Sequence, residues 1–108
     1  MPNAVTLAGR RFEFGDLTGA VLEDHYDSIT MFLQMTGVPT KDQFSALLTL
    51  AHQSMVAGGW QGTREDAVKL VRYRDSVALG VAVGKALGFE VGGGAQTGEA
   101  EGPQSSPA

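Results

Sequence analysis

The sequence predicts a mainly α fold: an N-terminal β-hairpin, then about three packed helices, then a disordered Gly/Glu-rich C-terminal tail. Three observations carry this. Residues 5–14, VTLAGRRFEF, set a short apolar run and an alternating run on either side of Ala8-Gly9. Between Leu17 and Leu87, apolar residues recur at helical spacing and are punctuated by glycine and proline. From Gly92 the chain reads GGGAQTGEAEGPQSSPA, with no aliphatic side chain beyond alanine, so burial cannot offset the entropy of ordering it. The expected division is therefore a helical domain with its hairpin over 1–90 and a tail over 91–108.

In the hairpin, Phe12 and Phe14 fall on one face and Arg11 and Glu13 on the other. Gly9 supplies the positive φ that a short connection needs. A lone two-stranded hairpin is marginal in water, so its aromatic face must rest on the helices. Asp16 or Thr18 can cap the first helix, where Leu22, Tyr26, Ile29 and Leu33 form the stripe and Gly37 and Pro39 mark the end. Thr40-Lys41-Asp42-Gln43 has the form of a capping box for the second helix. There Phe44, Leu47, Leu48, Ala51 and Met55 share a face until Gly58-Gly59. Thr63 and Asp66 repeat the cap more weakly, and a third helix is expected to run to Leu87, with a bend near Arg74-Asp75 or at Gly80 as the alternative to a straight course.

Composition narrows the function. The formal net charge of -4 and pI near 4.9 give no electrostatic attraction to nucleic acid or to an anionic membrane. Arg64, Lys69, Arg72 and Arg74 are scattered around their helix and interleaved with Glu65, Asp66 and Asp75, unlike a recognition helix. There is no cysteine, which removes thiolate chemistry and fits a reducing compartment. The opening MPNAVTL lacks the features of a signal peptide, and the apolar run Val77–Phe89 is too short for a bilayer. An intracellular, soluble protein is expected.

No catalytic constellation emerges, so an enzyme is not expected, nor any cofactor or metal. Neither His25 nor His52 has a second ligand three or four residues away. Glu23 and Asp27, one turn apart, read as the wet side of the first helix. Gly93 to Gly98 has the spacing of a phosphate loop, but Glu99-Ala100 stands where Lys and Ser/Thr belong.

Candidate contact residues remain. Gly80, Gly84 and Gly88, beside Ala78, Ala82 and Ala86, make a smooth strip suited either to internal packing or to docking and self-association. Trp60, between glycines, is either a core plug or a contact anchor. Met31, Met35 and Met55 suit an adaptable apolar surface and equally suit a core.

The layout resembles the small tail assembly chaperones of long-tailed bacteriophages and related prophages. The resemblance rests on TLAGRRFEFGDLTGAVL, whose Leu7-Ala8-Gly9-Arg10-Arg11-Phe12 is similar to the L-x-G-[KR]-x-aromatic hairpin of that family, and on the TREDAVKLV helix entry. It covers about residues 4–90. It implies a factor of the bacterial host cytoplasm, absent from the mature virion, that coats the tape measure protein and helps tail tube protein polymerise around it. Many such proteins exist in a short and a frameshifted long form, and this chain is similar to the short one. Met31, Met35, Met55, Trp60, Gly80 and Gly84 are then the candidate partner contacts. A structural head–tail connector or minor tail protein is the first alternative, and a small helical DNA-binding regulator the second.

Overall fold

The computed structural model describes residues 3–89, so the expected tail over 91–108 and the boundary at 90 lie outside the described residues. Strands β1 (Ala4–Leu7) and β2 (Arg10–Glu13) form an antiparallel hairpin. Five helices follow: α1 (Gly19–Asp24), α2 (Tyr26–Leu33), α3 (Lys41–Ala57), α4 (Arg64–Leu70) and α5 (Ser76–Ala86), with a 3-10 turn at Tyr73–Asp75. The expected fold class is what forms.

The hairpin register pairs Val5 with Phe12 and Leu7 with Arg10. That register turns Val5, Leu7, Phe12 and Phe14 into the core and leaves Thr6, Arg11 and Glu13 in solvent, where Arg11 and Glu13 pair at 2.8 Å. Both turn residues adopt positive φ, Ala8 at 51° and Gly9 at 77°. This is the pattern of a primed two-residue turn, and it strains the alanine. Replacing Ala8 by Asn should therefore stabilise the domain by about 1 kcal/mol, read as a higher Tm.

The hairpin is stitched to the helices through its backbone. Gly15 N–H donates to the Ser54 carbonyl at 2.9 Å, Leu17 N–H to the Ala86 carbonyl at 3.0 Å, and the Asn3 side-chain amide to the Ala82 carbonyl at 2.8 Å. Between these seams Leu7, Leu47, Leu50, Met55, Leu79 and Val83 are fully buried, so one core joins β1, α3 and α5.

Two of the three expected helices are interrupted. The first splits at His25, whose φ of -118° and ψ of 28° end α1 and begin α2. No glycine or proline marks the break, and the apolar spacing runs through it unaltered. The third ends at Leu70 because Val71 and Arg72 are extended. The Asp75 carboxylate accepts from Arg72 N–H at 2.7 Å, a local bond that competes with continued helix. The bend thus falls just ahead of Arg74-Asp75, and Gly80 lies within an unbroken helix.

The two predicted capping boxes form, whereas Thr18 stands at the N-cap of α1 without a side-chain cap hydrogen bond. Thr40 with Gln43 and Thr63 with Asp66 close reciprocal boxes at the starts of α3 and α4. α3 stops in a Schellman motif, with Gly59 at φ 109°, Trp60 N–H on the Met55 carbonyl and Gly59 N–H on the Val56 carbonyl. The Thr63 N–H, then the Thr63 hydroxyl and Lys69, hold the Asp66 carboxyl below its ordinary pKa. A depressed carboxylate stabilises fully above its unfolded pKa and loses that contribution as pH falls through the folded value. The stability advantage of the native chain over Asp66→Asn should accordingly be present at neutral pH and shrink as the pH is taken below about 4, measured by denaturant titration.

Candidate functional site

Each helix end that the caps and breaks define leaves a seam, and two of these seams are open. After the break at His25, α2 packs against α3, and its C-terminal end faces α5. Between them lies a groove of about 310 Å³, lined by Phe32, Met35, Gly37, Pro39, Ser76, Val77, Gly80 and Val81. Its lining is apolar apart from the Ser76 hydroxyl, and no titratable side chain enters it. Val77 on its α5 wall is 77% exposed and Val38, beside its α2–α3 corner, is 79% exposed. Leu33 and Tyr73 are also exposed, and Tyr73 packs against Phe44 of α3 with ring centroids 6.0 Å apart. Val77, Gly80 and Val81 share one face of α5, with Val77 exposed and Gly80 and Val81 half-buried.

On the other flank of α2 a smaller groove, about 200 Å³, is lined by Asp27, Ser28, Met31, Asp42, Ser45, Ala46 and Thr49. Arg64 closes one side of it, its guanidinium donating to the Ser45 and Thr49 hydroxyls at 3.1 and 2.9 Å.

The candidate contacts predicted from sequence are not brought together. Met35 and Gly80 line the apolar groove, whereas Met31 lines the polar one. Met55 is fully buried beneath α3 and Gly84 is buried on α5, so neither presents a surface in this fold. The glycine strip therefore divides: Gly84 faces the interior, while a Cβ at Gly80 would meet nothing within 4 Å. Trp60 is half-buried and packs edge-on against Phe12 at 5.6 Å and His52 at 6.1 Å. There it closes the core below the hairpin, while the His52 Nε2 meets the Gly62 carbonyl at 3.0 Å.

Phe32, Val38, Val77 and Val81 were not singled out in the sequence. Only Val77 and Val81 carried a signal, as apolar positions in step with Gly80. The groove is made by two helix ends far apart in the chain, and no local pattern encodes that apposition.

Among the described residues no group of three or more His, Asp or Glu side chains could hold a metal ion, and no helix is long and apolar enough to cross a membrane. The fold and the groove define a small hairpin-capped helical domain with one open apolar face. Compared with models of protein families, with curated proteins and with solved structures, the chain finds no match.

Proposed function

We propose that the protein is a non-enzymatic assembly chaperone of phage or prophage tails. It works in the bacterial host cytoplasm, holding the tape measure protein and promoting assembly of tail tube protein around it, and it is absent from the mature virion. The observation that supports this reading best is the open groove between α2 and α5, walled by Phe32, Met35, Val77 and Val81. A chaperone of an elongated helical client needs an apolar surface without reactive groups, and contiguous exposed apolar surface marks contact sites. The hairpin and helix-entry motifs of the sequence point to the same family.

The test is affinity purification from the native host during particle production, followed by mass spectrometry. Co-purification of a tape measure protein and a tail tube protein, with the chain missing from finished particles, is the expected result. Retention in purified particles would make it a connector or minor tail protein instead.

A further inference from the structure

Trp60 is the chain's single tryptophan, and the connection between α3 and α4 is shaped to receive it. Its indole lies against the backbone of Gly62, where a Cβ would run into the Cζ2 and Cη2 atoms of the ring. Any side chain at position 62 would therefore evict the ring from this seat. Edge contacts join the indole to Phe12 of β2, with centroids 5.6 Å apart, and to His52 of α3 at 6.1 Å. The His52 ring meets the Gly62 carbonyl through Nε2 at 3.0 Å, so one wall of the seat is tied to its floor.

What the indole covers is more deeply buried than the indole itself. Phe12 is 4% exposed, whereas Trp60 is half-buried and its neighbours Gly59 and Gln61 are exposed. The backbone on both sides is held without help from the ring. Trp60 N–H donates to the Met55 carbonyl at 2.9 Å, which fixes the end of α3. Beyond the loop, the Thr63–Asp66 box and the bonds from Arg64 to Ser45 and Thr49 fix the start of α4. The indole can thus leave its seat by rotation about its own side-chain torsions, with no backbone hydrogen bond broken. Leu7 and Met55, fully buried in the same core, have no such exit.

We propose that Trp60 is a latch. Its indole swings off Gly62 while the hairpin and helices stay folded, and the swing uncovers the Phe12 ring. Closed, the latch shuts β2 against α3. Open, it presents two aromatic rings where the closed state shows half of one, and contiguous apolar surface of that kind serves contact. The ring leaves first because it is held by edge contacts and a bare backbone, whereas the elements around it are held by hydrogen bonds and a shared core. None of these residues lines the groove between α2 and α5, so the latch stands or falls independently of the chaperone reading.

With one tryptophan in the chain, indole fluorescence reports the latch alone. The experiment is acrylamide quenching of the full chain in rising urea, with far-UV circular dichroism recorded on the same samples. The quenching constant should rise at least about threefold at urea concentrations where the dichroism is still native. If the two curves coincide, ring and fold leave together and the proposal is overturned. Without urea, Gly62→Ala should shift the emission to the red and raise ANS binding at least about threefold, with helix content kept. A folded Gly62→Ala chain with native emission and native ANS binding also overturns it. His52→Ala should move both readouts in the same direction, and His52→Gln, which keeps a donor for the Gly62 carbonyl, should restore most of the native emission. Should Gly62→Ala fail to fold, the urea series and the His52 pair decide, and a His52→Ala chain indistinguishable from the native one counts against the latch.

Discussion

Gly58→Ala should destabilise the domain by about 3 kcal/mol, seen as a fall in Tm of more than about 10 °C. Backbone conformation alone gives the opposite sign. Gly58 has φ -83° and ψ 0°, which alanine adopts without strain, and such a substitution usually gains about 0.4–1 kcal/mol by restricting the unfolded chain. Sterics decide the outcome. A Cβ at Gly58 would run into the backbone carbonyl of Glu13, and at Gly15 it would stand 2.7 Å from the Ala57 carbonyl group. The end of α3 and the exit of β2 thus approach backbone to backbone, with the Gly15–Ser54 hydrogen bond alongside. Neither can retreat without opening the core over Phe14 and Met55. Gly80→Ala is the matched control: its Cβ meets nothing, so helix propensity should win and stability should rise by about 0.5–1 kcal/mol.

Met55→Ala should cost about 2–5 kcal/mol, a large share of the whole stability of a domain this size. The side chain is fully buried, so its truncation leaves a cavity among residues of α3, α5 and the hairpin. Met35→Ala, at the half-buried wall of the groove, should cost much less in folding and show itself in client binding. Parallel melts and capture assays separate the two methionines. A Met55→Ala chain that melts like the native one but fails to retain partners would mean that Met55 is a contact after all.

These two methionines show where reading the sequence stops. Spacing placed Met55 correctly on the apolar stripe of α3, but a stripe does not say which of its members face the core and which its rim. Local chemistry was legible: the hairpin, the Thr40–Gln43 and Thr63–Asp66 boxes and the glycine stop after α3 depend on neighbours a few residues apart. The breaks at His25 and Val71 were not, because ordinary residues adopt them under tertiary constraint. Ser54 is a similar case. A polar residue in step with Leu47, Leu50 and Ala51 was passed over, yet it is fully buried, and its hydroxyl has no hydrogen-bond partner among the described residues. The groove was the least legible feature, since half of it comes from Phe32 and Met35 and half from Val77 and Val81.

The amide of Asn3 reaches the carbonyl of Ala82 across 79 positions of the chain, and Leu17 is tied to Ala86 in the same region. During synthesis β1 emerges well before its counterpart on α5, so the hairpin must wait for most of the domain before its apolar face is covered. A capping box forms as soon as its own few residues are made, whereas this closure carries the entropy of a long loop. Until then Val5, Leu7, Phe12 and Phe14 stay unsheltered on the nascent chain. The step that buries them is therefore also the step that completes α5 and, with it, the wall of the groove: the groove is whole only once the core is shut.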